Sequence, residues 1–290
     1  MIKFRQRLAE PGILIADGAT GTMLQRAGLP AGSAPERWNL ENPAAVQALH
    51  EQYIAAGADV ILTNTFGGSR PRIEKWGVGK RTHEINLTAA RLARQVADGR
   101  AYVLGDIGPT GQLLEPLGAL SQSEAVAVFA EQAAALAEGG VDGILIETMA
   151  DLNEAVAALQ GARQVTDLPI LVTMSFDTRG RTMMGVEPAA AAQQLWALGV
   201  DVVGANCGRT LSETLEAIQR MRQALPEATL MAKPNAGLPH TAGGELVYDV
   251  TPQIMADYAR RFAELGVKIF GGCCGSTPEH ISAVAAALRA

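Results

Sequence analysis

The sequence predicts a single (β/α)8 barrel spanning residues 1–290. Eight short apolar runs rich in Val, Ile and Leu alternate with Ala-rich stretches whose apolar residues recur every three or four positions. Runs without polar alternation are typical of parallel strands that are buried on both faces. Eight such units in a chain of 290 residues, with no linker between them, favour a closed barrel over an open doubly wound sheet.

Each apolar run is taken as one strand of the barrel. In chain order the runs are GILIADG (12–18), ADVILTNTF (58–66), AYVLGDIG (101–108), VDGILIET (141–148), LPILVTMSF (168–176), VDVVGANC (200–207), ATLMAKPN (228–235) and VKIFGGCC (267–274). Helical patterns such as PAAVQALHEQYIAAG and SEAVAVFAEQAAALAEGG follow the runs and end on glycine, a frequent C-terminal signal of helices.

Composition excludes several classes of function. The net charge is −6 with acidic and basic residues interspersed, and the absence of a Lys/Arg cluster argues against a nucleic-acid partner. No uncharged apolar stretch approaches 18 residues, and no apolar segment follows the basic N-terminus, so neither a membrane span nor a signal peptide is predicted. Three cysteines are too few for a disulfide framework. We therefore expect a protein of the reducing cytoplasm.

The carboxyl ends of the predicted strands carry most of the polar residues. Because active sites of such barrels lie at this face, these residues are the candidates for function. In strand order they are Asp17, Asn64 with Thr65, Asp106, Glu147, Ser175 with Asp177, Asn206 with Cys207, Lys233 with Asn235, and Cys273 with Cys274.

All three cysteines lie on this rim, at the ends of the sixth and eighth predicted strands. These strand ends are separated by roughly 10 Å, which side chains pointing over the barrel mouth can bridge around an ion. Zinc accepts three sulfur ligands and then keeps a fourth position open, which is typical of catalytic zinc. A small buried cysteine without a ligand is the alternative for each residue alone, but three on one rim favour metal binding.

Motifs along nearly the whole chain resemble those of the homocysteine S-methyltransferases. This family includes betaine-dependent enzymes, S-methylmethionine-dependent enzymes and the homocysteine module of cobalamin-dependent methionine synthase. The matching segments are DGATGT (17–22), TNTFGGSR (63–70), GDIGPTG (105–111), ETM (147–149), TMSFD (173–177), GANCG (204–208), KPNAG (233–237) and GGCCGSTPEHI (271–281).

The resemblance implies a methyltransferase of methionine biosynthesis that contains one zinc ion per chain, held by Cys207, Cys273 and Cys274. It also implies that the amino-acid end of homocysteine is bound by Asp17, Ala19, Thr20, Glu147 and Asn235. This agrees with the chemistry of these residues, because a substrate ammonium needs carboxylates and a substrate carboxylate needs N–H donors such as those of the turn 18–22. Homocysteine bound at the zinc would lose its thiol proton and accept a methyl group.

The methyl donor is left open between a betaine-like onium compound, S-methylmethionine and a methylated corrinoid on a separate protein. Gly67 stands where betaine enzymes of the animal type have a tyrosine, which argues against a betaine pocket of that type. Trp38 is a candidate for a cation–π contact with an onium methyl group, with packing as its alternative. We expect neither a folate-binding nor a cobalamin-binding domain in these 290 residues.

Two other functions remain as alternatives. A barrel lyase would use Lys233 for a Schiff base, or Gly271, Gly272 and Gly275 for a phosphate. A zinc-binding barrel without catalytic activity would keep the cysteine cluster alone.

Overall fold

A computed structural model describes residues 1–242 and 245–290. These described residues form ten strands and twelve α-helices. The strands are β1 (Leu14–Ile15), β2 (Val60–Leu62), β3 (Tyr102–Ile107), β4 (Gly143–Met149), β5 (Ile170–Met174), β6 (Val202–Cys207), β7 (Leu230–Pro234), β8 (Pro239–Ala242), β9 (Glu245–Tyr248) and β10 (Val267–Phe270).

The helices surround the sheet, and two 3-10 turns, Pro35–Arg37 and Gly79–Arg81, extend the loops. The α-helices are α1 (Phe4–Ala9), α2 (Gly21–Arg26), α3 (Trp38–Glu41), α4 (Pro43–Ala55), α5 (Arg70–Glu74), α6 (Thr82–Ala97), α7 (Gln122–Glu138), α8 (Leu152–Val165), α9 (Pro188–Ala197), α10 (Leu211–Ala224), α11 (Pro252–Glu264) and α12 (Pro278–Arg289).

Eight parallel strands form the barrel in the order β1-β10-β7-β6-β5-β4-β3-β2. A parallel bridge between Ala16 and Val60 joins the two edge strands, and the N–H of Asp17 donates to the Val60 carbonyl at 2.9 Å. Seven of the eight predicted apolar runs contain one of these strands, and the remaining run, 141–148, covers all of β4 except its last residue, Met149. The predicted (β/α)8 barrel is therefore confirmed.

Two buried apolar layers hold the barrel together. The inner layer fills the barrel with side chains such as Leu104, Leu145 and Met231. Helix α1 closes its lower end, because Phe4 is buried against Tyr102 with ring centroids 5.0 Å apart. The outer layer lies between strands and helices and contains the alanines that the helical patterns place on one face. Since both faces of each strand are covered, the strands require unbroken apolar runs.

The predicted helical patterns correspond to α4 and α7. Helix α7 begins with a capping box in which Ser121 and Glu124 satisfy each other's backbone N–H groups. It ends before Gly140, whose positive φ of 85° reverses the chain.

An antiparallel hairpin of β8 and β9, which the sequence analysis does not predict, follows strand β7. It forms a sheet of its own and leads back to the barrel through Tyr248. No helix within residues 1–242 and 245–290 combines the length and apolar character that crossing a membrane requires.

Candidate metal centre and substrate cavity

The sulfur atoms of Cys207, Cys273 and Cys274 all lie within 4.8 Å of one another. Strand β6 ends on Cys207, and the other two residues follow β10, so the barrel itself brings the ligands together. Zn–S bonds of about 2.3 Å in a tetrahedron place sulfur atoms about 3.8 Å apart, close to this arrangement. The three thiols are unbridged and half-buried. The donor set fits a zinc ion with an open fourth position.

The electrostatics of the three thiols also favour a cation. Hydrogen bonds from the Cys273 and Cys274 thiols lower the pKa of Cys207. The contact with Cys207 raises the pKa of Cys273, and it raises that of Cys274 above its ordinary range. Ionisation of all three thiols at once is therefore unfavourable without a cation, because neighbouring thiolates repel each other.

The loop after β10 is shaped to present two adjacent cysteines. Gly275 adopts a positive φ of 78°, and a Cβ atom there would lie 2.2 Å from the Tyr248 ring. A Cβ atom at Gly272 would lie 2.1 Å from the Ser276 hydroxyl, which itself donates to the Cys273 carbonyl at 2.6 Å. Protein atoms therefore occupy the space beside these glycines, and this argues against their use as a phosphate cradle.

Asn235 lies beside the sulfur atoms. Its amide oxygen accepts the N–H of Cys274 at 3.0 Å. Its amide nitrogen donates to the Gly208 carbonyl at 2.7 Å and lies 3.4 Å from the Cys207 sulfur. Asn235 is also absent from the described residues that line the substrate cavity. The structure thus places this side chain against the cysteine cluster, while the resemblance implies a role at the amino-acid end of the substrate.

A cluster of buried charges lies on the floor of the barrel mouth. Lys233 Nζ is 3.6 Å from Asp17 Oδ1 and 3.6 Å from Glu147 Oε2. Asp106 is buried in the same cluster, where burial and the nearby Glu147 raise the pKa of its carboxyl well above the usual range. The three carboxylates outnumber the one ammonium.

Among the described residues Asp106 Oδ1 has no hydrogen-bond partner, and Asp17 Oδ1 and Glu147 Oε2 contact only Lys233 Nζ, at 3.6 Å, which is longer than a hydrogen bond. A second cation with N–H donors, such as a substrate ammonium, matches both the excess charge and these three acceptors.

Burial raises the pKa of these carboxylates. For Asp17 it raises the pKa to about 6, although Lys233 and the Leu62 N–H oppose the shift. For Glu147 burial raises the pKa to about 7, again against the effect of Lys233. Burial lowers the pKa of Lys233, but the attraction of Glu147 and Asp17 outweighs it and the net shift is upward. Lys233 therefore stays charged, which argues against a Schiff-base amine, since that chemistry needs a neutral nitrogen.

The turn after β1 forms one wall of the cavity through Ala19 and Thr20. The Ala19 N–H already donates to the Ser276 carbonyl at 3.2 Å, so it is not available to a substrate carboxylate. The Thr22 hydroxyl, in contrast, is buried and has no hydrogen-bond partner within the described chain. The donors that remain on this wall are thus farther along the turn than Ala19.

The cavity has a volume of about 410 Å³ and runs from the cysteines to the loop after β2. β2 and β6 face each other across the ring of eight strands. Phe66, Trp76 and the buried carboxylate of Glu36 line the part of the wall near β2. Trp38, in contrast, packs against the core and is absent from the described lining. The tryptophan that reaches the cavity is therefore Trp76.

The sequence predicts Asp106 and Lys233 as rim residues, but it does not predict that they form one charge cluster with Asp17 and Glu147. Charged residues within otherwise apolar strands were the available signal. Of the other rim candidates, Asp177 is exposed and Ser175 accepts the Gly208 N–H at 3.4 Å. Glu36 was missed because it precedes a short helix far from any predicted strand end.

Comparison with known proteins identifies related sequences. The sequence model of the family described as homocysteine S-methyltransferase matches residues 14–288. Methionine synthase of Mycobacterium tuberculosis is 34% identical over 295 aligned residues, which cover 95% of this chain and 24% of that enzyme. The chain thus spans about a quarter of the length of this relative.

Solved structures share the fold. The metallated form of the homocysteine methyltransferase MmuM from Escherichia coli superposes with a TM-score of 0.82 at 22% identity, covering 97% of this chain and 98% of that one. A methyltransferase from Methanosarcina mazei superposes with a TM-score of 0.62 at 13% identity, covering 99% and 98% of the two chains.

Proposed function

We propose that this chain, which belongs to the homocysteine S-methyltransferase family, methylates the thiol of homocysteine and forms methionine. Residues 1–290 would act as one catalytic unit with one zinc ion held by Cys207, Cys273 and Cys274. The observation that carries the proposal is the presence of two complementary sites in one cavity. A cluster of three sulfur atoms lies at one end, and a buried cluster of carboxylates with unpartnered oxygens lies beside it.

The carboxylate cluster would bind the amino-acid end of homocysteine. Asp17 and Glu147 would accept hydrogen bonds from the substrate ammonium, while Lys233, which contacts both, favours their ionised forms. Thr20 and the unpartnered hydroxyl of Thr22 lie on the wall where the substrate carboxylate would be held. Ala19 would shape this wall rather than donate, because its N–H is already bonded.

When bound by these cysteines, zinc would supply a Lewis acid that lowers the pKa of the homocysteine thiol, whose proton would be released to solvent. Asn235 would orient Cys207 and Cys274 for this role through its amide group. The homocysteine sulfur then attacks the methyl carbon in line. The new S–CH₃ bond forms as the bond between that carbon and the donor heteroatom breaks, and the donor leaves with the bonding electron pair.

The donor that best fits the cavity carries its methyl group on a cationic centre. Glu36 places a buried carboxylate on the cavity wall, where it accepts the Gly67 N–H at 2.6 Å, and Trp76 adds an aromatic ring that attracts onium groups. The Phe66 ring on the same wall already has the Arg72 guanidinium 5.7 Å from its centroid. A tyrosine in place of Gly67 has no space here, because a Cβ atom would lie 2.8 Å from the Glu36 carboxylate. The onium pocket would therefore differ from that of the animal betaine enzymes.

A methylated corrinoid on a separate protein is the second candidate donor. The resemblance to the homocysteine module of cobalamin-dependent methionine synthase supports it, and this chain aligns with 24% of the mycobacterial methionine synthase. If this barrel acts alone, a separate partner protein would have to supply the methylated corrinoid.

The test is an assay of the zinc-loaded chain with homocysteine and, in parallel, betaine, S-methylmethionine and methylcobalamin, with methionine measured by mass spectrometry. We expect methionine from an onium donor, and no methionine after chelation or in the Cys207→Ser variant. Formation of methionine only after a methylcorrinoid protein is added would assign the second donor. Bound zinc without methionine from any of these donors would contradict the proposal and leave a non-catalytic zinc barrel.

A further inference from the structure

Two residues other than glycine adopt left-handed backbone at the site: one follows Glu147, and the other is Cys207, a proposed zinc ligand. Thr148 follows Glu147 with a φ of 60°, and Cys207 has a φ of 60°. This conformation is unfavourable for a β-branched residue, at a cost of about 1–3 kcal/mol, and persists only where neighbouring groups enforce it.

Thr148 lies in a β-bulge that aims Glu147. Ile146 pairs with Val172 and Met149 with Met174, so β4 has one more residue than β5 over this interval. Bulges of this kind bend a strand and redirect a side chain, and they are frequent next to active sites. Glu147 therefore reaches the charge cluster because Thr148 holds the left-handed conformation.

One buried amide, that of Asn206, bonds to this bulge. Its oxygen accepts the Thr148 N–H at 2.8 Å and the Thr173 hydroxyl at 2.7 Å. Its nitrogen donates to the Thr148 hydroxyl at 2.6 Å and lies 3.9 Å from the Cys273 sulfur. Asn206 is 1% exposed, so these contacts have no competition from bulk water.

The chemistry of the partners determines which way the amide points. A peptide N–H only donates, so the amide oxygen must face Thr148. The amide NH₂ group must then point toward Cys273, where an N–H donor stabilises a negatively charged sulfur. The same residue directly precedes Cys207 along β6. Asn206 thus contacts the bulge behind Glu147 on one side and two of the three sulfur-bearing residues on the other.

We propose that Asn206 is a positioning residue that fixes the two ends of the substrate site relative to each other. It fixes Glu147 through its hydrogen bonds to Thr148. It fixes the sulfur cluster through its contact with Cys273 and through the peptide bond that joins it to Cys207. The inference rests on the proposed function for its meaning, since it assigns one end to the amino group and the other to the thiol of the same molecule. Asn206 itself touches neither the substrate nor the reacting atoms.

An amide is needed because the Thr148 N–H requires a hydrogen-bond acceptor, whereas the Cys273 sulfur requires a donor. An aspartate at this position would still accept the Thr148 N–H and the Thr173 hydroxyl, and the Thr148 hydroxyl would turn to donate to it. It would, however, place a negative oxygen toward the Cys273 sulfur. Asn206→Asp therefore disturbs the metal end and spares the bulge, whereas Asn206→Ala removes both contacts.

The experiment compares Asn206→Ala, Asn206→Asp and a matched control, Asn86→Ala. Asn86 is also a fully buried amide, which bonds to the Gly68 and Thr82 carbonyls away from the cysteines. The amino-acid end is read by the dissociation constant of 2-aminobutyrate, which has the backbone of homocysteine without its thiol. The metal end is read by the thiolate-to-metal absorption of the cobalt-substituted protein, and folding is read by the melting temperature.

For Asn206→Ala we expect the dissociation constant of 2-aminobutyrate to rise about tenfold, equivalent to about 1.4 kcal/mol, together with a shifted cobalt absorption. For Asn206→Asp the cobalt absorption shifts while the dissociation constant changes by less than about threefold. Asn86→Ala lowers the melting temperature without altering either reading. If Asn206→Ala lowers the melting temperature but leaves both readings unchanged, as in the control, its role is structural only and the inference is wrong.

A milder variant keeps the test decisive if Asn206→Ala does not fold. Thr148→Val retains the side-chain shape and loses only the hydroxyl that accepts the amide N–H, so the 2-aminobutyrate constant should rise by about threefold. An unchanged constant would overturn the inference. Since these readings use binding and absorption, a chain that binds cobalt and 2-aminobutyrate but makes no methionine would contradict the proposed function alone.

Discussion

Lys233 Nζ lies 3.6 Å from Glu147 Oε2 and the same distance from Asp17 Oδ1, at the end of a strand whose other residues are apolar. One ammonium thereby connects β1, β4 and β7 beneath the cavity. A buried pair of this kind contributes little net stability, because desolvation of the charges offsets their attraction. Its consequence is instead that Asp17 and Glu147 are held within reach of a second cation.

Removal of the Lys233 ammonium leaves the carboxylates of Asp17 and Glu147 without a cation. We expect Lys233→Met to lower the free energy of unfolding by about 3–5 kcal/mol at pH 8. The loss should be smaller at pH 5, since carboxylates whose pKa is raised by burial then bind a proton. Urea unfolding at both pH values measures this. Lys268→Met is the control, because Lys268 is half-buried and donates only to backbone carbonyls, and equal losses in both variants would contradict the prediction.

Binding of an amino-acid ligand should weaken on acidification. Burial raises the pKa of Asp17 to about 6 and that of Glu147 to about 7, in a cluster that also contains Asp106, Lys233 and Cys273. Below these values the carboxylates become neutral and lose their attraction for an ammonium. We expect the dissociation constant of 2-aminobutyrate to rise as pH falls from 8 to 5.

Glu147→Gln removes one of the titrating groups and should both weaken binding and reduce its pH dependence. A dissociation constant independent of pH in the unmodified protein would contradict this assignment.

The stability of the metal-free protein should fall as pH rises, in contrast to ligand binding, which strengthens as pH rises. Because the folded pKa is raised, these two groups contribute stability that is present below their unfolded pKa and is lost as pH rises through about 6 to 7.

The turn at Gly275 should be more sensitive to substitution than its backbone angle alone requires. Gly275 and Gly99 have φ values of 78° and 74°, but only Gly275 has a neighbour within 4 Å of a Cβ position, the Tyr248 ring. We expect Gly99→Ala to cost about 1–2 kcal/mol of stability, from backbone strain alone. Gly275→Ala should cost more and should also weaken zinc binding, since Cys274 is the preceding residue.

Thermal unfolding and competition with a zinc-binding dye measure these two effects. Tyr248→Ala in the Gly275→Ala background should restore part of the zinc affinity by making space for the methyl group. Equal effects of the two glycine variants on both measurements would contradict a role for Tyr248 in shaping the metal loop.

The carboxylate of Glu36 should affect the donor and not the acceptor. We expect Glu36→Gln to raise KM for a cationic methyl donor about tenfold, because it removes one charge contact that contributes about 1.4 kcal/mol. The KM for homocysteine should change little. Glu154→Gln is a suitable control, because Glu154 is also a buried carboxylate but bonds to Thr110 outside the cavity lining. Steady-state kinetics with each substrate varied in turn measure this, and equal changes in both KM values would argue against a donor pocket at Glu36.

The barrel was predictable because its strands are buried on both faces. Such strands need apolar runs without alternation, and the eight runs cover the eight observed barrel strands except for Met149 at the end of β4. The hairpin of β8 and β9 was not predictable in the same way, since it pairs only with itself and lies outside the barrel. Trp38 and Trp76 illustrate the same difference, because only the folded loops determine which of two tryptophans reaches the cavity.

The sequence by itself determined the fold class, the rim on which the polar residues stand and the presence of three cysteines on that rim, because position along a parallel strand dictates which end of the barrel a residue reaches. Only the tertiary structure decided that Lys233 lies between Asp17 and Glu147, that Asn235 faces sulfur, and that a left-handed Thr148 aims Glu147. These relationships join residues that are distant along the chain, 28 positions apart for Asn235 and Cys207, or depend on one backbone angle, and neither periodicity nor spacing encodes the direction in which such a side chain points.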